Sequence, residues 1–322
     1  MSLKHSLIPA ALIGLGLAFA GSAHADAITV YSAGPKGLID NLAKGYTAKS
    51  GTEVNVFQGT TGQVMARMEA EAANPVVDVL ISASWETASD FEKRGWLVKY
   101  TPAKTETVPA FLKTEYAVAQ GVSALALVWN KNSGVAKPTD WADLAKPEYK
   151  DLVTMPDPAQ SGSSFELVAG LRSLNGGKMD LFRSLSANGT IVPGANAQAL
   201  NPVMQGAKAV VFGAVDYIAM GSAAKGEAIE VVFPSSGTII APRPAMILNW
   251  TKNEAGAKGF MDYMLSDEGQ AMVAKVFLMP ARTDVKADRL LIGDLKLLDI
   301  DTASAYAARE QILAEFKAAM GL

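Results

Sequence analysis

The chain has 322 residues, no cysteine and two histidines, and its 29 basic and 32 acidic residues leave a net charge of −3. No disulfide, thiol nucleophile or Cys/His zinc cluster can form, and the lack of a long basic run argues against a nucleic-acid partner. Both histidines, His5 and His24, fall in the first 25 residues, so a histidine-based triad is excluded from the remainder.

Residues 1–25 read as a Sec-type signal peptide. Lys4 and His5 form a short positive start, Leu7 to Gly21 is apolar, and Ala23-His24-Ala25 fits the small-x-small cleavage rule. The apolar run is shorter than the roughly 18 residues of a membrane span. With no cysteine to carry a lipid, the expected product is a soluble periplasmic monomer, not a lipoprotein, beginning at Asp26. Removing 25 residues from 322 leaves 297, enough for two lobes. Loss of Lys4 leaves 28 basic and 32 acidic residues, a net charge of −4.

Ile28 to Ser32 reads as a buried strand, followed by a turn at Ala33-Gly34-Pro35 and a helix from Leu38 to Lys49 with Leu38, Leu42, Ala43 and Tyr46 on one face. Glu53 to Phe57 alternates as a strand, then Gly59-Thr60-Thr61-Gly62 leads into a helix from Gln63 to Ala73. Val76 to Ile81 is a third strand, and Ser82-Ala83-Ser84 precedes a helix from Trp85 to Lys93. This alternation predicts an open α/β sheet with ligand groups in the loops after strand C-termini. A second unit starts with a strand at Leu152 to Met155 and a helix entered through Ser161-Gly162-Ser163-Ser164 and running to about Leu174. It continues with a strand at Ala209 to Phe212 that leads through Gly213-Ala214-Val215 to Asp216-Tyr217. Val122 to Trp129 and Ile239 to Leu248 are apolar extended runs that join the two units as a pair of hinge crossings. Phe260 to Val276 reads as one amphipathic helix and Ser304 to Met320 as a terminal helix across the back. The expected division is 26–123 and 239–282 for the first lobe, 124–238 for the second, and 283–322 for a C-terminal segment packing across both.

Three loops share one design, in which a strand gives way to small hydroxyl and Gly residues and then a helix: those at Ser32, at Thr60 and Thr61, and at Ser161, Ser163 and Ser164. Unpaired N–H groups and the partial positive charge of helix starts make such loops anion sites when they converge. Plain N-capping, which needs one Ser or Thr, is the alternative at each. Ser84 and Trp85 follow the third strand, where Trp85 is either a cleft wall or core. Asp216 and Tyr217 either touch the ligand or serve as a cap and a half-buried ring. Arg243, within Pro242-Arg243-Pro244 on the return crossing, either reaches an anion as a planar fork or lies in solvent. Glu86 and Glu166 occupy first turns of helices, where the dipole alone accounts for them. No nucleophile–base set, Walker loop or dinucleotide fingerprint is present, so binding is expected rather than catalysis, and no cofactor is expected.

The chain resembles the periplasmic solute-binding proteins of ABC importers, in the ferric-iron-binding group and its phosphonate- and sugar-phosphate-binding relatives. The matching residues are Ile28-Thr29-Val30-Tyr31-Ser32, Gln58 to Val64, Asn74 to Val79, Phe233 to Thr238, Leu265 to Gln270 and Pro280-Ala281-Arg282. The resemblance implies a two-lobed type II periplasmic-binding-protein clamp that delivers a solute to an inner-membrane permease. It also implies that the ferric members' His and Glu positions hold Pro35 and Ala83 here, and that their adjacent Tyr pair aligns with Asp216-Tyr217. One phenolate with one carboxylate is a poor ferric set. The organophosphorus-binding relatives keep the Ser/Thr/Gly loops, which fits this sequence better. The phosphoryl group is then expected among Ser32, Thr60, Thr61, Ser163 and Ser164, with Asp216 receiving an amine or sugar hydroxyls and Tyr217 closing over the ligand. In the ferric alternative, Tyr217 and Asp216 hold the metal.

Overall fold

The computed structural model describes residues 27–300 and 308–322; the expected signal peptide lies outside them. Strand β1 (Ile28–Ser32) pairs in parallel with β2 (Val54–Gln58) and with β3 (Val79–Ile81), as three buried runs separated by helices require. Between them, α1 (Lys36–Ser50) buries Leu38, Ile39, Leu42, Ala43 and Tyr46 and ends on left-handed Gly51, whose N–H bonds the Thr47 carbonyl. Helix α2 (Thr61–Ala70) starts in a reciprocal capping box between Thr60 and Gln63. Helix α3 (Trp85–Lys93) begins where the sequence places it.

The centre of the sheet is β4 (Ala117–Asn130), a single 14-residue strand that contains the expected outbound crossing. It pairs antiparallel with β8 (Ile240–Ile247), the return crossing, from Ala117↔Met246 to Ala124↔Ile240. Beyond β8, β4 pairs with β6 (Val210–Val215) and β7 (Ile229–Val232), and β6 pairs with β5 (Val153–Thr154). The strand order is β2-β1-β3-β8-β4-β6-β5. The sheet therefore has two halves that share β4, with the short strand β9 (Met279–Pro280) also on β4.

The second half carries α4 (Gly162–Leu174), α5 (Asp180–Ala187), α6 (Asn196–Met204) and α7 (Asp216–Ala223). Here β6 runs on to Val215 and Asp216 opens a helix. The predicted single helix over Phe260 to Val276 is two, α8 (Glu254–Leu265) and α9 (Asp267–Lys275). Ser266 breaks it: its backbone is extended, and its Oγ accepts the Gly269 N–H at 3.1 Å. A Cβ on Gly269 would stand 2.3 Å from the Tyr263 carbonyl, so the two helices meet too closely for a side chain there. Helix α10 (Arg309–Met320) lies against α5 and α4, fixed by Arg172–Glu315 at 2.6 Å. The expected helical residues before Ala308 lie outside the described ones. No described helix is long and apolar enough to cross a membrane.

Candidate functional site

The strand-to-helix loops of both halves meet in one cleft of about 240 Å³, small beside the roughly 300–1,000 Å³ of sites for drug-sized ligands. Five helix N-termini border it. Pro35 and Lys36 come from α1, Thr60 and Thr61 from α2, Ser161 and Gly162 from α4, Ala195 to Gln198 from α6, and Tyr217 and Ile218 from α7. The N-caps of α1 and α6, Pro35 and Ala195, have no capping side chain, so their first N–H groups lack a side-chain acceptor. The wall contains no Asp or Glu; its one charged side chain, Lys36, pairs with Asp40 at 2.8 Å.

Contacts across the cleft join the two halves. The Gly62 N–H donates to the Gln160 carbonyl (3.2 Å) and the Gly162 N–H to Thr61 Oγ1 (3.3 Å). Glu166, expected in a first turn, is the fifth residue of α4 and lies beyond it; wholly buried, it accepts the Trp85 N–H of α3, which has no side-chain cap of its own. Burial pushes the Glu166 carboxyl up to about 8, against the pull of the Trp85 N–H. A Cβ on Gly162 would stand 2.9 Å from Thr61 Oγ1 and 3.0 Å from the Ala83 carbonyl carbon. Gly162→Ala should therefore hold the halves apart, and its radius of gyration in small-angle scattering with saturating solute should stay near that of the empty wild type. Compaction equal to that of the wild type would show that the fit at Gly162 does not limit closure.

Of the residues singled out from sequence, Thr60, Thr61, Ser161 and Tyr217 line the cleft. Ser163 is buried behind Ser161, with its Oγ 3.1 Å from Ser161 Oγ and 3.5 Å from Asn196 Nδ2. Ser32 and Ser164 are buried and locally spent. Ser32 Oγ accepts the Gly34 N–H, and Ser164 Oγ donates to the Pro156 carbonyl. For these two, the capping and turn reading replaces direct phosphoryl contact. Ser84 is buried beside Glu166, and Trp85 borders a separate pocket with Phe111, Glu166 and Pro242, so neither forms the cleft wall.

Asp216 is the largest correction. It is fully buried and pairs with Arg289 Nη2 at 2.5 Å, while accepting the N–H groups of Ala124 (3.1 Å) and Tyr217 (2.8 Å). Burial raises this carboxyl, with Arg289 opposing. Fully buried and off the cleft wall, it presents no oxygen to an amine or a sugar hydroxyl there. Arg243 is also not in solvent. It is 1% exposed, donates to the Ala33 carbonyl (3.1 Å) and to Tyr217 Oη (3.2 Å), and lies over the Tyr217 ring.

Sequence reasoning missed Gln58, Gln160 and Asn196 on the wall. Asn196 Nδ2 donates to Ser161 Oγ at 3.0 Å, and its buried Oδ1 has no partner. Gly194-Ala195-Asn196 repeats the small-and-polar design of the other loops, which is the signal available for it. Pro35 and Ala83, the positions that the resemblance gives to metal ligands in ferric relatives, do line the cleft. Among the described residues, no group of three or more His, Asp or Glu stands close enough to hold a metal.

The profile of the bacterial extracellular solute-binding proteins matches residues 74–303. The chain belongs to this family. It is 24% identical to iron uptake protein A1 of Synechocystis, over 77% of this chain and 73% of that one. The fold is that of type II periplasmic binding proteins. The structure of AfuA from Actinobacillus pleuropneumoniae, solved with fructose 6-phosphate, superposes with a TM-score of 0.84 at 23% identity, over 92% of this chain and 99% of that one. A ferric binding protein from Campylobacter jejuni superposes at 0.78 with 22% identity, over 91% and 99%.

Proposed function

We propose that this solute-binding protein is the capture component of an ABC importer, closing on a small organophosphorus anion in a periplasm-like space and delivering it to an inner-membrane permease. The observation that carries this reading is the cleft wall: five helix N-termini converge on it and no carboxylate lies on it. Such a wall attracts negative charge and offers N–H and hydroxyl donors to it. Apart from Lys36, which pairs with Asp40, the donors are neutral, and this suits a ligand that must later be released, because little charge has to be desolvated at each cycle. With Asp216 engaged by Arg289, the wall holds no partner for an ammonium group. Hydroxyl-bearing phosphates therefore fit better than 2-aminoethylphosphonate. The AfuA complex with a sugar phosphate on the same fold agrees with this direction.

Ferric iron is the second reading, kept because Tyr217 lines the cleft and relatives bear iron names. The donor set speaks against it. Ferric iron wants several anionic oxygens, whereas Tyr217 is the one phenol on the wall, no carboxylate lies on it, and the neighbouring Asp216 is buried against Arg289.

Titration of the mature protein with fructose 6-phosphate, 2-aminoethylphosphonate, inorganic phosphate and ferric citrate, followed by tryptophan fluorescence, separates the two. The expected order places fructose 6-phosphate ahead of the phosphonate, with a colourless protein after ferric citrate. Stoichiometric iron with a tyrosinate absorption band would replace the phosphoryl reading by the ferric one.

A further inference from the structure

We propose that Arg243 fixes the charge specificity of the cleft: it stands beneath it as a buried cation without a counter-ion, and the solute's anionic group supplies the missing charge across Tyr217. This rests on reading the cleft as an anion site. Arg243 is among the largest fully buried side chains of the protein. Its guanidinium makes two hydrogen bonds, both to neutral oxygens, those of Ala33 and Tyr217. Both of these residues line the cleft. Its Nε is buried with no partner, and no ion pair reaches it among the described residues.

The nearby carboxyls do not offset this charge. Asp216, next to Tyr217 in sequence, is spent on Arg289. Glu166 makes no ion pair with Arg243, and burial, the largest influence on its carboxyl, favours the neutral form. A buried cation left unpaired is costly, and a protein that keeps one has a use for it.

A second observation points to the same floor. Gln120 lies on β4 in the irregular stretch opposite Arg243, between the pairs Ala119↔Pro244 and Val122↔Pro242. It is 1% exposed, and neither of its amide atoms has a partner. A Cβ on Gly34, a wall residue, would come within 3.6 Å of Gln120 Oε1. The crossing strands thus present one unpaired cation and one unpaired amide under the α1 end of the cleft. The mechanism follows from the Tyr217 bond. Arg243 occupies the Tyr217 oxygen as donor, which leaves the phenolic hydrogen free to donate into the cleft. Arg243 is thereby a positioning residue for Tyr217 and the source of its field.

The test measures dissociation constants for fructose 6-phosphate and inorganic phosphate, at matched ionic strength, for wild type, Arg243→Met and Arg243→Lys, together with the thermal midpoint of each empty protein. Arg243→Met should weaken binding of both probes on the order of tenfold to a hundredfold, the range for hydrogen bonds to charged groups. Its empty midpoint should be equal to or above that of the wild type, because an uncompensated charge has gone. Arg243→Lys should recover part of the affinity by restoring charge without the fork. Two results would overturn the proposal: Arg243→Met binding both probes as the wild type does, or both variants losing binding with a lowered empty midpoint, which marks a purely structural role. A wild type that binds neither probe would refute the phosphoryl reading itself and remove the basis of this one.

Discussion

Asp216→Ala is expected to lower the thermal midpoint by on the order of 10 °C and to do so equally whether or not solute is present. The residue ties three elements. Its carboxylate meets Arg289 Nη2 at 2.5 Å, accepts the Ala124 N–H from β4, and caps the start of α7 through the Tyr217 N–H. Arg289 is itself 1% exposed, and it also donates to the Phe277 carbonyl. Removing one member of a buried pair leaves the other as an uncompensated charge, a loss of about 3–5 kcal/mol. For a chain of this size each kcal/mol moves the midpoint by about 2–4 °C. The combined change Asp216→Leu with Arg289→Met removes both charges and should cost clearly less than Asp216→Ala alone. Scanning calorimetry of the three variants decides it. A single variant as stable as the wild type, with a selective loss of amine-bearing ligands, would restore the ligand role that the sequence suggests.

Sequence reading succeeds here where the determinants are local. Buried β-rich runs followed by Gly, Ser or Thr and then a 3.6-residue apolar period identify β1, α1, β2, α2, α3 and α4 within a few residues, because capping and periodicity act over one or two turns. The same chemistry explains why Thr60, Thr61 and Ser161 are legible as cleft residues. It fails where a second local signal competes. Apolar spacing continues through Ser266, so Phe260 to Val276 reads as one helix, although Ser266-Asp267-Glu268 is itself a helix start with acidic residues in the first turn. Helix α6 escapes because Pro202 lies inside it and Ala195 provides no cap, and Asn196 escapes with it.

Long-range partners are invisible in principle. Whether Asp216 faces a ligand or a cation depends on Arg289, 73 positions later, and whether Arg243 is solvated depends on Ala33, 210 positions earlier. In each case the residue type says only that the group is costly to bury. The folded chain decides which polar atoms are left without partners, and two of the residues that carry them, Arg243 and Gln120, lie under the cleft. Glu166 shows the same limit: the sequence explains it by the dipole of a first turn, whereas it lies beyond the first turn of α4 and its role is the contact with the other half of the sheet.

That contact predicts a pH dependence of stability. Burial pushes the Glu166 carboxyl up to about 8 in the native protein, whereas in the unfolded chain it returns to the ordinary value near 4.5. Between those values the unfolded chain releases a proton that the native protein keeps, so stability falls as pH rises. The favourable contribution is complete below the lower value and has been lost above the upper one. One proton gives a slope of at most about 1.4 kcal/mol per pH unit, or about 2–4 °C in the midpoint. Glu86 on α3 is also raised by burial, opposed by Arg309, and adds a slope of the same sign. Comparison with Glu166→Gln isolates the Glu166 share. Glutamine keeps an oxygen for the Trp85 N–H but does not titrate, so its midpoint should fall less steeply over the same range and overtake that of the wild type towards pH 8. Glu166→Ala should be less stable than Glu166→Gln throughout, since α3 then starts without any acceptor. Midpoints measured across the range for the three proteins settle the point. A Glu166→Gln curve parallel to the wild type would mean that the native carboxyl is ionised, held as an anion at the N-terminus of α3 rather than as a neutral acid.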